Sequence, residues 1–189
     1  MSGILPNRQW KESNLNEPWV VGDTYQLGIG QSYLKIPPVQ MLVATAAIGN
    51  GGYLVTPKFV KQIGNEEQKI DTENSKKKID ISDKNINIMM DAMKLAADPY
   101  GTAFTGEPDN INIGGKTGTA EYGIPTYNDE GIAEYKTHGW YSGFAPFNEP
   151  EIAIIVFLKD GVGSTHAGPI AKEILEHYFK SKNYVYKLR

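Results

Sequence analysis

A run of seven apolar residues, Ile152-Ala153-Ile154-Ile155-Val156-Phe157-Leu158, constrains the fold more than any other part of the chain. As a strand it would be apolar on both faces, so helices must cover both of them. Gly168-Pro169 begins one such helix, because apolar residues then recur at helical spacing as far as Tyr178. A strand at residues 138–145 precedes the run and is joined to it by a proline-containing turn, which predicts an antiparallel hairpin. The pattern favours an α+β (mixed α/β) fold, with an antiparallel sheet flanked by helices.

Two further helices are predicted in the first half of the chain. Pro37-Pro38 opens an apolar helix from Val39 to about Ile48, which a glycine-rich segment ends. This helix has little polar face, so we expect it to be buried on most sides. Ser82 can cap the second helix, which runs to Asp98-Pro99.

Three segments carry weaker signals. Residues 6–22 show no periodicity and are predicted to be irregular. Residues 53–55 and 59–63 are predicted to pair with each other as short strands. The polar stretch at residues 64–78 is predicted to be a mobile surface excursion.

The stretch Lys116-Thr117-Gly118-Thr119 combines a cation and two hydroxyls with backbone that glycine leaves bare. In an extended strand, Lys116 and Gly118 point to one face, and Thr117 and Thr119 point to the other. Missing side chains here and at the two preceding glycines let a substrate approach the peptide groups closely. We therefore predict a binding edge for a ligand that carries a carboxylate.

Several ligand classes are excluded by the sequence. A phosphate loop would need a glycine at position 110, where the chain has Asn110, so nucleotide binding is not predicted. The formal net charge of -3 and the lack of a long basic stripe argue against nucleic acid. The chain has no cysteine, and His138, His166 and His177 lack the spacing of a metal site. No metal and no cofactor are predicted.

Several separate segments together resemble the class B penicillin-binding transpeptidases, of the penicillin-binding protein 2 type. They follow the family's order, and include Ile29-Gly30-Gln31, Gly49-Asn50-Gly51-Gly52, Gly115-Lys116-Thr117-Gly118-Thr119-Ala120-Glu121 and Trp140-Tyr141-Ser142-Gly143-Phe144-Ala145-Pro146. A lone Lys-Thr-Gly is a weak signal, but this ordered series covers essentially the whole chain. The resemblance implies a β-lactamase/transpeptidase-like fold. It also implies that residues 1–189 are the C-terminal portion of a transpeptidase domain, and thus an incomplete domain.

The resemblance also implies a chemistry. In this family a serine, activated by a lysine three residues on, attacks a D-alanyl carbonyl of a peptidoglycan stem peptide and forms an acyl-enzyme. By resemblance, Lys116 would assist proton transfer and hold the terminal carboxylate of the substrate. Thr117, Gly118 and Thr119 would complete the substrate-binding strand, and the backbone N–H of Thr119 would be one donor of the oxyanion hole.

The nucleophile is missing from its expected place. The family's Ser-x-x-Lys and Ser-x-Asn motifs precede Lys-Thr-Gly, whereas the matches here, Ser32-Tyr33-Leu34-Lys35, Ser75-Lys76-Lys77-Lys78 and Ser181-Lys182-Asn183, stand elsewhere in the order. We interpret all three as chance matches. Ser32 and Pro37 also replace the family's usual glycine and threonine, a change that we do not expect to abolish the fold. We therefore predict a fragment that is inactive alone.

Partners and compartment follow from the resemblance. It implies a parent enzyme bound to the bacterial cytoplasmic membrane, with this domain on the periplasmic side. That enzyme would act on stem peptides beside a glycan polymerase of the elongation machinery, and would bind β-lactam antibiotics. The chain itself has no apolar run of membrane-spanning length and is predicted to be soluble. Uncovered apolar surface predicts self-association.

Two alternatives remain open at this point. One is a serine β-lactamase or D-alanyl carboxypeptidase relative, which shares Lys-Thr-Gly. The other is a non-catalytic module in which Lys116 and the two threonines bind a peptide without chemistry.

Overall fold

A computed structural model describes residues 2–64, 66–67 and 76–182. Its helices are α1 (Arg8–Leu15), α2 (Val21–Gly28), α3 (Pro38–Gly49), α4 (Asp83–Ala97) and α5 (Gly168–Ser181). Its strands are β1 (Tyr53–Val55), β2 (Gln62–Ile63), β3 (Glu66–Glu67), β4 (Lys76–Lys78), β5 (Gly114–Tyr127), β6 (Ala133–Ala145) and β7 (Ile152–Leu158). Two short turns of helix lie at Phe104–Gly106 and Gly163–Ala167. None of the helices in these described ranges is long and apolar enough to cross a membrane.

A three-stranded antiparallel sheet in the order β5-β6-β7 is the centre of the fold. The predicted hairpin is confirmed, since β6 pairs with β7 from Gly139 opposite Leu158 to Ala145 opposite Ile152. β5 pairs with the other side of β6, so one edge of β5 is left without a strand partner among the described residues. The α+β class predicted from the sequence is therefore confirmed, with the Lys-Thr-Gly strand at an edge.

Helices pack on both faces of this sheet, as the apolar pattern of β7 requires. On one face, buried side chains of β6 and β7 meet the apolar side of α5, through Tyr141, Ala145, Ile154, Val156, Ala171, Leu175 and Phe179. On the other face, the Phe144 ring lies against Gly49 of α3, where a Cβ would come within 2.7 Å of the ring. The helix α3 is confirmed, but the expectation that it is buried on most sides is wrong. Of its residues only Thr45, Ala47 and Gly49 are buried, and residues 38–40 and Ala44 are exposed.

The prediction that residues 6–22 are irregular is wrong, because α1 and the start of α2 lie there. The Asn7 side chain caps α1 by accepting a hydrogen bond from Trp10 N at 2.8 Å. α2 carries Asp23 in its first turn, where the carboxylate accepts from Val20 N at 2.7 Å. Polar caps and an ion pair define these helices, so apolar periodicity could not reveal them.

A buried ion pair ties α1 to α2. Lys11 Nζ lies 2.8 Å from Asp23 Oδ2, and the two residues are only 5% and 8% exposed. The hydrogen bond from Lys11, with that from Val20, lowers the pKa of Asp23, and the bond to Asp23 raises the pKa of Lys11. A lowered carboxyl pKa means that folding favours the ionised form.

Replacing Asp23 with asparagine is expected to destabilise the protein most clearly at neutral pH. Asp23 has a depressed pKa, so its contribution is complete above its unfolded value of about 4 and is lost as the pH falls through the folded pKa. Urea denaturation at a series of pH values should show the wild-type and variant curves converging in acid. Asp109→Asn breaks an exposed pair with Lys172 and serves as the control, with little effect expected. Parallel curves for Asp23→Asn and wild type would contradict this account.

The predicted pairing of residues 53–55 with 59–63 is also wrong. β1 pairs instead with β4, with Tyr53 opposite Lys78, while β2 pairs with β3. Lys78 fixes the first pairing, because its Nζ donates to Gly51 O at 2.6 Å and lies 4.9 Å from the centre of the Tyr53 ring. Both ends of the predicted surface excursion thus form strands, and its residues 65 and 68–75 lie outside the described residues.

Candidate active site

The register of the sheet places the two faces of the Lys-Thr-Gly strand as the sequence predicts. Lys116 lies opposite Ser142 and Gly118 opposite Trp140, whereas Thr117 lies opposite Tyr141 and Thr119 opposite Gly139. Directly opposite residues share a face in an antiparallel pair. Lys116 and Gly118 therefore share the α3 side of the sheet, and the two threonines point to the other side.

The peptide groups of Thr119 belong to the free edge of β5. The Thr119 carbonyl accepts a hydrogen bond at 3.3 Å from Gln31 Nε2, which does not belong to the sheet. In an antiparallel strand the N–H and C=O of one residue point to the same edge, so the Thr119 N–H faces the same side. One donor and one acceptor are thus presented together to anything that lies along this edge.

Lys116 is an exposed residue on the same strand. Its Nζ donates to the carbonyl of Thr117 at 2.5 Å, and no ion pair of Lys116 is found in the part of the chain that the structure describes. A lysine held over an edge without a carboxylate of its own can bind the carboxylate of a ligand, and such a charge-assisted bond is about twice as strong as a neutral one.

The two threonine hydroxyls are held from the opposite face of the sheet. Thr119 Oγ1 accepts from Gly163 N at 3.2 Å, and Thr117 Oγ1 donates to Thr102 Oγ1 at 3.2 Å. Gly163 approaches so closely that a Cβ there would lie 2.5 Å from Gly118 O and 2.7 Å from Trp140 O. These contacts fix the position of the strand from behind, and leave its edge open in front.

A cavity of about 600 Å³ adjoins the strand. Residues 116–122 of β5 form one wall, β6 and β7 contribute aromatic and aliphatic side chains, and the segment from Ile29 to Ile36 lies across it. An apolar cavity with a few convergent polar groups is typical of a ligand site. Among the described residues, no group of three His, Asp or Glu side chains is arranged to hold a metal ion.

Three side chains are joined at the far end of this cavity. The Tyr122 ring stacks on His138 with centroids 3.9 Å apart, and the Tyr122 hydroxyl donates to the Asp160 carboxylate. That hydrogen bond raises the pKa of Tyr122 and lowers the pKa of Asp160, which Lys136 and Lys159 lower further. His138 Nδ1 is buried with no hydrogen-bond partner in the described structure. The cluster joins β5 to β6 and to the turn that follows β7.

The serines of the three motif matches lie in different surroundings. Ser32 borders the cavity together with Lys35, but its φ of 71° places it in a turn and not on a helix. Ser181 ends α5 and donates to Tyr178 O at 2.7 Å. Ser75 lies outside the described residues.

Two residues at the site were missed by sequence reasoning. In the sequence, Gln31 stands out only as part of Ile-Gly-Gln, and nothing in that pattern shows that its side chain reaches Thr119. Gly163 lies in a glycine-rich segment after β7, and only the folded chain reveals how closely it approaches Gly118. The signal that could have found Gln31 is a polar residue between two turn-forming positions, a common place for a functional side chain.

The architecture and the site together define a class of protein. An antiparallel sheet between helices, with Lys-Thr-Gly on an edge strand beside a cavity, is the arrangement expected of a penicillin-binding transpeptidase domain. The sequence profile described as "Penicillin binding protein transpeptidase domain" matches residues 3–176. The chain belongs to this family.

Individual relatives narrow the class to one type. The chain is 29% identical over 190 residues to peptidoglycan D,D-transpeptidase MrdA of Haemophilus influenzae and 31% identical over 193 residues to that of Escherichia coli. These matches cover 94% and 96% of the chain, which spans only 29% and 30% of the two relatives.

Solved structures of the same type share the fold. The structure of PBP2 from Pseudomonas aeruginosa matches with a TM-score of 0.75 at 29% identity, over 94% of this chain and 38% of that one. The complex of PBP2 and MreC from Helicobacter pylori matches with a TM-score of 0.75 at 26% identity, over 97% of this chain and 32% of that one. The resemblance to penicillin-binding protein 2 noted in the sequence is confirmed.

Proposed function

We propose that these residues form the substrate-binding strand of a peptidoglycan D,D-transpeptidase, and that the stem peptide lies along the free edge of β5. The observation that carries the proposal is the pairing of a free-edge N–H and C=O at Thr119 with the exposed ammonium of Lys116 nearby. A peptide that ends in a carboxylate can bond to all three groups at once. The relatives named D,D-transpeptidases favour this function over the β-lactamase and carboxypeptidase alternatives.

Each site residue then has a chemical role. Lys116 holds the terminal carboxylate and assists proton transfer, while Thr117 and Thr119 contribute hydrogen bonds. The Thr119 N–H is one oxyanion-hole donor, and a donor of this kind lowers a reaction barrier by roughly 3 kcal/mol. Gly118 keeps the strand bare enough for the substrate to approach.

The acylated serine is proposed to lie outside these residues. The reaction class is acyl transfer through a serine acyl-enzyme, and Ser32, which borders the cavity together with Lys35, occupies a turn. We therefore expect these 189 residues alone to bind a stem peptide without cleaving it.

The partners and location of the whole protein are part of the same proposal. It would be anchored in the cytoplasmic membrane with this domain on the periplasmic side, bind β-lactams and work beside a glycan polymerase. A protein partner of the kind present in the Helicobacter pylori PBP2–MreC complex is a further candidate, as is a second copy of the chain.

Binding of diacetyl-L-Lys-D-Ala-D-Ala, measured by NMR titration, tests the proposal. We expect saturable binding that Lys116→Ala weakens about tenfold, because a charge-assisted hydrogen bond is lost. Lys84→Ala, on the exposed surface of α4, is the matched control and should bind as the wild type does.

Two outcomes would contradict this function in different ways. Equal affinity of Lys116→Ala and the wild type for the peptide would show that β5 is not the substrate-binding strand. A covalent adduct with a fluorescent penicillin, detected by intact mass, would show that a nucleophile is present, and Ser32 would be the first candidate for substitution.

A further inference from the structure

The Gln31 side chain is hydrogen-bonded to the open edge of β5. Gln31 and Thr119 are 88 positions apart in sequence, yet Gln31 Nε2 donates to Thr119 O across the cavity. Both residues border that cavity, together with Lys116. The Thr119 carbonyl, to which Gln31 donates, lies on the edge of β5 that has no strand partner among the described residues.

The backbone around Gln31 is shaped to present this side chain. Gly30 and Ser32 on either side have φ values of 78° and 71°, and the Gln31 N–H donates to Gln26 O at 2.9 Å. A left-handed conformation is unfavourable for a residue other than glycine, so Ser32 keeps it because its surroundings require it. The main chain of Gln31 is thus anchored to the end of α2, while its carboxamide extends to β5.

A peptide that pairs with this edge needs the same carbonyl. In an antiparallel pair opposite Thr119, the ligand residue accepts from the Thr119 N–H and donates its own N–H to the Thr119 carbonyl. The ligand residue whose carbonyl enters the proposed oxyanion hole is therefore the one whose amide meets Gln31. The two donors approach the same oxygen from the same side of the strand.

We infer that Gln31 is a placeholder for the substrate amide: its carboxamide satisfies the Thr119 carbonyl until the N–H of the penultimate stem residue replaces it. This inference rests on the proposed function, and it makes Gln31 a positioning residue. The bond that must be exchanged is exposed and 3.3 Å long, so a peptide that brings its own donor can displace it.

The experiment compares two ligands on two proteins. The ligands are diacetyl-L-Lys-D-Ala-D-Ala and an analogue in which an ester replaces the amide between its lysine and the first D-alanine. The proteins are the full chain and Gln31→Met, which keeps the length of the side chain and removes its donor. We expect Gln31→Met to bind the amide about threefold more tightly and the ester unchanged, since only the amide competes with Gln31. In wild-type spectra, the Gln31 side-chain NH₂ signals should shift on titration with the amide and not with the ester.

Each other outcome overturns the inference in a recognisable way. Weaker amide binding by Gln31→Met would make Gln31 a residue that contacts the ligand. Equal gains for both ligands would mean that the apolar side chain of methionine, and not the loss of a competing donor, strengthens binding. Unchanged amide binding that still depends on Lys116 would reject the placeholder and leave the proposed function intact. If the peptide does not bind, or if Lys116→Ala binds it as tightly as the wild type does, the proposed function and the inference are both rejected. Thermal unfolding of Gln31→Met should match the wild type, which excludes a general loss of structure.

Discussion

Replacing Tyr141 with alanine is expected to lower the free energy of unfolding by about 3–5 kcal/mol, because a large side chain is removed from the centre of the sheet. Tyr141 is fully buried on β6, and its hydroxyl donates to Ala103 O at 3.2 Å. Burial raises the pKa of this hydroxyl above its ordinary value. The ring fills the space that the missing side chains of Gly106 and Gly115 leave open, so these two neighbours have no side chain that could fill the cavity.

Urea denaturation followed by circular dichroism measures this change. Tyr141→Phe is the matched control, and should lose only about 1 kcal/mol, the usual net contribution of one hydrogen bond. Similar losses for Phe and Ala would show that the hydroxyl, and not the packing of the ring, stabilises this region.

Replacing Gly163 with alanine is expected to impair stability and ligand binding together. The added Cβ would lie 2.5 Å from Gly118 O and 2.9 Å from Gly118 N, so either β5 or the segment at residues 161–163 must move. Forcing extra volume into a packed region costs typically about 1–3 kcal/mol, and backbone atoms yield less readily than side chains. Because Gly163 N also donates to Thr119 Oγ1, the displacement changes the strand that presents the proposed oxyanion donor.

The measurements are urea denaturation and titration with diacetyl-L-Lys-D-Ala-D-Ala. Gly28→Ala is the control, since Gly28 lies in α2 where an added Cβ would have no neighbour within 4 Å, and alanine favours helix there. We expect Gly28→Ala to be neutral or slightly stabilising, and Gly163→Ala to bind the peptide several-fold more weakly at temperatures where it is folded. A folded Gly163→Ala protein with wild-type affinity would show that β5 does not depend on this close approach.

Local patterns predicted the sheet and the longer helices. The β6–β7 hairpin follows from two apolar runs separated by a turn, and α4 follows from the Ser82 cap and helical periodicity. α1 and α2 were missed because a cap and a buried ion pair hold them, and β4 was missed because a run of lysines resembles a solvated loop. The caps are polar and local, and the ion pair and the β1–β4 contact join residues 12 and 27 positions apart, so apolar periodicity reveals none of them.

The sequence by itself determined that Lys116, Gly118 and the two threonines alternate on a strand, and that this strand belongs to a penicillin-binding transpeptidase. Alternation depends only on neighbouring residues, and the family resemblance depends only on the order of motifs. Tertiary structure alone decided which edge of β5 is open and which groups meet it. Gln31 reaches Thr119 from the turn after α2, and Gly163 contacts the strand from behind, because packing brings together groups that no local pattern connects.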